Sequence, residues 1–137
     1  MDHVVVGVDQ SDTARRAAER AARLTSAMGA NLHLVTCAEP HAPVSAGIGS
    51  DQFVSDWQTE SKQFLHGLKL ELPNEDITMS VMTGHPADAL VDEAKRLDAD
   101  MIVVGNRRVQ GAARVLGSVA SDVLKKAHCD VLIAYTR

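Results

Sequence analysis

The chain has 137 residues, of which 45% are apolar and 23% charged, as expected of one globular domain spanning residues 1–137. Its net charge of −4 disfavours a nucleic-acid-binding protein, which needs a basic surface. No apolar run reaches membrane-spanning length, and the N-terminus turns polar at once instead of forming a signal peptide. We therefore expect a cytoplasmic protein with neither a membrane nor a nucleic acid as partner.

The first half of the chain predicts two strands and two helices. Residues 3–9, HVVVGVD, form a β-branched run typical of a strand that is buried on both faces. Ser11 suits the N-cap of a helix with alanines at helical spacing, and Gly29 suits its end. The remaining predicted elements are a strand at 31–37, a Pro- and Gly-rich loop at 38–50, and a helix from about Asp51 to Leu70.

The second half continues the alternation of strands and helices. Pro86 is placed to open a short helix, since proline favours the first helical turn. The other predicted elements are strands at 76–84, 100–105 and 129–136, a loop at 106–117 and a helix at 118–127. Five strands that alternate with four helices predict an α/β fold, a doubly wound parallel sheet with helices on both faces.

The cysteines and histidines predict neither a disulfide nor a structural zinc site. Cys37 ends a predicted strand and Cys129 begins another, so they should lie about a strand length, roughly 17–20 Å, apart. That separation is too large for a disulfide. The six histidines are scattered without the spacing of zinc ligands.

Open parallel sheets bind ligands beyond the carboxyl ends of their strands. Asp9 stands at such an end and suits either a ribose hydroxyl or a turn and capping role. Cys37 suits a small wall residue better than a reactive thiol. Gly84 and Pro86 suit turn chemistry, and His85 a solvent-facing loop position.

The segment from Gly105 to Ser118 predicts an anion site. Gly117 lets the backbone approach a ligand, and Ser118 begins a helix whose unpaired N–H groups favour negative charge. Arg107, Arg108 and Arg114 add positive charge to an acidic chain. The alternative is a plain surface loop with solvated arginines.

Five stretches of the chain together resemble the universal stress protein family in its single-domain form. They are VVVGVDQSDTARRA, VTCAEP, GHPADALVDEA, ADMIVVGNRR and LGSVASDVLKKAHCDVLIAYT. The resemblance spans nearly the whole chain in the family's order. It implies the strand order 3-2-1-4-5 and a homodimer through the edge strand 130–136, a pairing that would protect an exposed edge.

The resemblance also implies an adenine nucleotide as ligand: ATP, or its relatives ADP and AMP, with or without Mg²⁺. Nucleotide-binding members carry the motif G-x2-G-x9-G-[ST], which Gly105 and the pair Gly117-Ser118 match at its two ends. Phosphate contacts are accordingly expected at Gly105, Gly117, Ser118 and the Val119 N–H. The family pattern assigns the ribose to Asp9, the adenine to Cys37, and a place beside the base or ribose to Val104.

The middle of the motif departs from the family pattern. Arg108 replaces the second glycine beside Arg107, and the loop is one residue short. Arg108 either blocks the backbone approach or substitutes its guanidinium for it. Three functions follow: a nucleotide-binding stress or regulatory protein, a scaffold of the same fold without ligand, and an enzyme. With no Walker lysine and no paired carboxylates, any hydrolysis should be slow.

Overall fold

The computed structural model describes residues 1–38, 50–74, 76–106 and 116–135 of the chain. Within these ranges, strands and helices alternate from the first element to the last. They are β1 (His3–Gly7), α1 (Asp12–Met28), β2 (Asn31–Ala38), α2 (Ser50–Glu71), β3 (Ile77–Thr83), α3 (Pro86–Arg96), β4 (Met101–Asn106), α4 (Ser118–Lys126) and β5 (Asp130–Tyr135).

The five strands form one parallel sheet in the order β3-β2-β1-β4-β5. β1 lies at its centre, and Val4, Val5 and Val6 have no exposed surface because helices cover both faces. The predicted α/β class and the order 3-2-1-4-5 are both confirmed.

Alternate residues of the central strands point into two separate cores. Val4 and Val6 pack in the core that holds the alanines of α1 and Leu65 and Leu68 of α2. Val5 packs in the other core, which holds the inner faces of α3 and α4. The doubly wound arrangement therefore follows from the two-residue period of strands.

The predicted caps of α1 are both present. Ser11 Oγ accepts a hydrogen bond from the Ala14 N–H at 3.1 Å, and Gly29 closes the helix with a left-handed φ of 68°. Between them, alanines face the sheet, and Ala17, Ala18 and Ala21 are completely buried. Small side chains on this face let the helix axis lie close to the strands.

Several predicted boundaries shift by one or two residues. The first strand was expected at 3–9 but ends at Gly7; the Val8 N–H still bonds to the Val35 carbonyl at 2.8 Å, and Asp9 has entered a turn. The fourth strand runs one residue further than expected and includes Asn106. The expected loop 38–50 lies outside the described residues except at its first and last positions. The arginines at 107, 108 and 114 and position 136 of the expected last strand also lie outside them.

A polar network around the buried side chains of His33 and Glu93 joins β2, β3 and α3. His33 Nδ1 lies 2.5 Å from Thr78 Oγ1, and His33 Nε2 lies 2.8 Å from Ser80 Oγ and 3.8 Å from Glu93 Oε2. Glu93, only 2% exposed, also pairs with Arg96. These contacts attach α3 to the outer strands through polar rather than apolar groups.

Candidate functional site

A cavity of about 450 Å³ opens at the carboxyl ends of the strands. β1 and β4 lie side by side at the centre of the sheet, with connections leaving in opposite directions, which is where a doubly wound sheet places its ligand crevice. Seven residues that the family resemblance assigned to a nucleotide line this cavity: Asp9, Cys37, Val104, Gly105, Gly117, Ser118 and Val119. Two others, Arg107 and Arg108, lie outside the described residues.

Asp9 has the turn role, which is one of the two roles expected from the sequence. Its Oδ1 accepts a hydrogen bond from the Ser11 N–H at 2.8 Å, which fixes the turn that leads into α1. The residue is nevertheless exposed and lines the cavity. The turn contact thus holds the carboxylate at the cavity wall, so the two readings of Asp9 are compatible.

Cys37 is held in the cavity wall by the turn after β3. Its Sγ donates a hydrogen bond to the Gly84 carbonyl at 3.1 Å. Gly84 has a φ of 103°, a conformation that favours glycine, which accords with the expected turn role. Neither Cys37 nor Cys129 forms a disulfide in the structure.

Gly105 allows β4 to lie against the first turn of α1. A Cβ added there would stand 3.0 Å from Thr13 Cγ2 and 3.1 Å from the Thr13 carbonyl oxygen. The second contact is with backbone, which cannot swing aside. Gly105 therefore has a packing role in the fold in addition to its place in the cavity wall.

Gly117 differs from Gly105 because no described neighbour crowds it. Its φ of −63° and ψ of 162° suit any residue, and the nearest described atom to an added Cβ would be Asn106 Oδ1 at 3.8 Å. Its N–H donates to the same Asn106 oxygen at 3.0 Å. Within the described chain, the missing side chain leaves open space at the cavity wall and relieves no clash.

α4 begins beside the cavity with backbone donors that have no acceptor within the helix. The Ser121 N–H donates to the Gly117 carbonyl at 3.0 Å and begins the helical hydrogen-bond ladder. The N–H groups of Ser118, Val119 and Ala120 precede that ladder, so the helix itself gives them no acceptor. All three residues line the cavity, together with the Ser118 hydroxyl as a further donor.

The first turns of three helices meet at this cavity. Thr13 and Ala14 of α1, Pro86 of α3 and Ser118 of α4 all line it. Each helix directs the positive end of its dipole toward its N-terminus. Their convergence favours an anionic ligand in an acidic chain.

His85 lies beside the cavity rather than in its wall. Its side chain is half exposed, and its Nε2 stands 4.0 Å from Asp122 Oδ2 on α4. Asp88 and Lys126 form a second pair between the same two helices at 2.7 Å. The solvent-facing position expected for His85 agrees with this placement.

Sequence reasoning left several wall residues out of the predicted site. Thr13, Val35, Leu90, Asn106 and Ala120 all line the cavity. Asn106 directly follows the motif glycine Gly105 at a strand end, and that position was the available signal. The others face the cavity through helix and strand periodicity, which a sequence motif does not record.

The described residues contain no candidate metal site and no membrane-spanning helix. None of their histidine, cysteine and acidic side chains gather in groups of three that could hold a metal ion. In the same part of the chain, no helix combines the length and apolar character needed to cross a membrane.

Residues 1–134 match the model of the universal stress protein family. The chain is 34% identical to universal stress protein Rv1636 of Mycobacterium tuberculosis, over 97% of this chain and 95% of that protein.

Two solved structures are also similar. A universal stress protein in complex with cAMP is 34% identical, with a TM-score of 0.71 over 99% of this chain and 98% of the other. The universal stress protein from Archaeoglobus fulgidus in complex with dAMP is 26% identical, with a TM-score of 0.68 and 97% of each chain covered. From the family match and the shared fold together, the chain belongs to the universal stress protein family.

Proposed function

We propose that the chain binds an adenine nucleotide in the cavity at the carboxyl ends of β1 and β4. The ribose would lie at Asp9, the base near Cys37 and Val104, and a phosphate group at the N–H groups of Ser118 and Val119. The ligands to test first are ATP, ADP and AMP, with and without Mg²⁺.

The observation that carries this proposal is the meeting of the predicted ligand residues at one cavity. Asp9 follows β1, Cys37 and Gly105 lie near the carboxyl ends of β2 and β4, and Gly117 precedes α4. All four line a space of about 450 Å³. Two similar proteins of the family were solved with cAMP and with dAMP, each of which joins an adenine base to one phosphate. Both relatives support a ligand with these parts.

The converging helix N-termini support the anionic part of the ligand. Asp9 is the only carboxylate among the described residues of the cavity wall. The N–H groups of Ser118, Val119 and Ala120, which the α4 ladder leaves without a helical acceptor, belong to residues of the same wall. A ligand with a hydroxyl-bearing part and a phosphate part can therefore pair with both kinds of group.

We propose binding with little or no hydrolysis. Fast phosphoryl transfer needs groups that position the nucleophile and stabilise the transferred phosphate's charge. In the described cavity wall, Asp9 is a single carboxylate, and no lysine or histidine accompanies it. The ligand would then act by its presence, as a regulatory signal. Turnover above about one per second would contradict this part of the proposal.

Isothermal titration of the purified chain with ATP, ADP, AMP and cAMP tests the proposal. We expect saturable binding of one nucleotide per chain, a higher melting temperature at saturation, and no such response to guanine nucleotides. Gly67→Ala is the control for glycine-to-alanine changes in the cavity wall, and it should bind nucleotide like wild type. Gly67 lies in α2, outside the cavity wall, and no described atom beyond the adjacent helix backbone lies within 4 Å of an added Cβ. The absence of saturable heat and of a melting shift at millimolar nucleotide would refute the proposed function.

The proposal retains two further expectations from the sequence. One is a homodimer through the edge strand, and β5 does lie at an edge of the described sheet. Light scattering would test it, because a dimer has twice the chain mass of 14.7 kDa. The other is a cytoplasmic location, which cell fractionation would test. Neither is needed for nucleotide binding.

A further inference from the structure

A hydrogen bond joins the end of β4 to the residue that caps α4. Asn106 is the last residue of β4, and its Oδ1 accepts the Gly117 N–H at 3.0 Å, eleven positions along the chain. Both residues line the cavity. The bond therefore attaches the start of α4 to the end of β4 at the cavity wall.

α4 has no capping hydrogen bond from the side chain of its own N-cap residue. α1 shows the usual arrangement, in which Ser11 Oγ accepts the Ala14 N–H and so occupies one donor of the first turn. The N-cap of α4 is Gly117, which has no side chain to offer. Asn106 contacts the Gly117 N–H instead, one position before the first helical residue.

The first turn of α4 therefore has no side-chain cap from Gly117. Asn106 accepts from the Gly117 N–H, one position before Ser118, Val119 and Ala120, which begin the helix and line the cavity. Their N–H groups bind an anion well only if their directions are fixed beforehand, since ordering them at the moment of binding would cost affinity. The side chain of Asn106 supplies that order from the neighbouring strand.

We propose that Asn106 is a positioning residue for phosphate recognition, acting through Gly117 rather than by touching the ligand. The inference rests on the proposed nucleotide function and adds a division of labour within its site. The base and ribose contacts at Cys37, Val104 and Asp9 do not depend on this bond. The phosphate contacts at Ser118 and Val119 do.

Two ligands that differ only by a phosphate test this division. Adenosine and AMP are measured on wild type and on Asn106→Ala, by competition against a fluorescent AMP analogue so that weak ligands are covered. We expect Asn106→Ala to weaken AMP binding about five- to tenfold, as for loss of one net hydrogen bond. Adenosine binding should stay unchanged.

Asn74→Ala is the matched control for general loosening of the fold. Asn74 also ties a loop to backbone, donating to the Ala22 carbonyl at 3.3 Å and to Thr25 Oγ1 at 2.9 Å, and it lies outside the cavity wall. Its variant should bind both ligands like wild type.

The outcomes separate the two proposals. Equal AMP affinity in wild type and Asn106→Ala overturns the positioning role and leaves nucleotide binding intact. A parallel loss for adenosine and AMP, or an equal AMP loss in Asn74→Ala, also overturns that role. If wild type binds neither AMP nor adenosine, the role of Asn106 is overturned, while the proposed function is decided by the separate titration with ATP, ADP, AMP and cAMP.

Discussion

At the scale of single residues, the two glycines that match the ends of the family motif do different things. Gly105 touches the first turn of α1 so closely that a side chain would press on Thr13 backbone. Gly117 has an ordinary backbone conformation, and among the described residues the nearest atom to an added Cβ is Asn106 Oδ1 at 3.8 Å. Packing explains the first glycine, whereas the described chain gives no packing reason for the second, which is consistent with the proposed ligand.

Alanine substitutions should separate these roles. Gly105→Ala should lower the free energy of unfolding by about 1–3 kcal/mol, because the added methyl overpacks a rigid contact. Gly117→Ala should change the free energy of unfolding by less than about 1 kcal/mol, because two effects oppose each other. Alanine is a poorer N-cap than glycine, but it also reduces the conformational freedom of the unfolded chain. The same methyl should weaken nucleotide binding at least about fivefold. Urea unfolding and titration of both variants measure this, and a larger stability loss for Gly117→Ala would contradict the assignment.

Individual residues also show which parts of the site could be predicted from the sequence and which could not. Asp9 and Cys37 could be named because each stands at a strand end, and parallel strands bring such ends together. Asn106 stands at a strand end too, but its proposed role depends on the hydrogen bond that it accepts from the Gly117 N–H, eleven positions along the chain. A contact of that kind is set by the packed fold and leaves no local pattern in the sequence.

At the scale of elements, both ring nitrogens of His33 have hydroxyl partners. His33 Nδ1 lies 2.5 Å from Thr78 Oγ1 on β3, and His33 Nε2 lies 2.8 Å from Ser80 Oγ on the same strand. Because a hydroxyl can donate or accept, a neutral imidazole can donate from one ring nitrogen and accept at the other. A second ring proton would turn both nitrogens into donors, so the hydroxyl that had donated to the ring would have to reorient.

The charges around His33 act in opposite directions. Burial lowers the pKa of His33 from its ordinary 6.5, and Arg96 and His3 add to the effect, while Glu93 opposes it. Burial alone would raise the pKa of the Glu93 carboxyl, but hydrogen bonds from Arg96 and Ser80 and the nearby charges outweigh it, and that pKa is lowered from 4.5. Near neutral pH, the network thus holds a carboxylate beside a neutral imidazole.

Acid should therefore weaken the attachment of α3. The unfolded chain takes up the His33 proton near pH 6.5, before the folded chain does, so stability falls as the pH drops through 6.5 toward the lower folded pKa. The Glu93 contribution is lost only below its ordinary 4.5. Urea unfolding at pH 7.5 and pH 5.5 should show a smaller loss for His33→Gln than for wild type. Identical losses in the two proteins would contradict this prediction.

At the scale of the whole molecule, the alternation of apolar runs and amphipathic segments was enough to predict the fold. Buried β-branched runs such as 3–9 and alanines at helical spacing gave the elements in their correct order. The strand order came from the family resemblance, because periodicity does not say which strands are neighbours. The exact end of β1 was missed, since Val8 continues the apolar pattern and still bonds to Val35 although the strand has ended.

The most direct test of a nucleotide site at the strand ends is an amide chemical-shift titration of ¹⁵N-labelled protein with AMP. We expect saturable shifts concentrated at three places that line the cavity: Gly7–Asp9, Val104–Asn106 and Gly117–Ala120. The amides of Ser118 and Val119 should move most, because they would donate to the phosphate. Shifts confined to α2 and β3, or none at millimolar AMP, would contradict it.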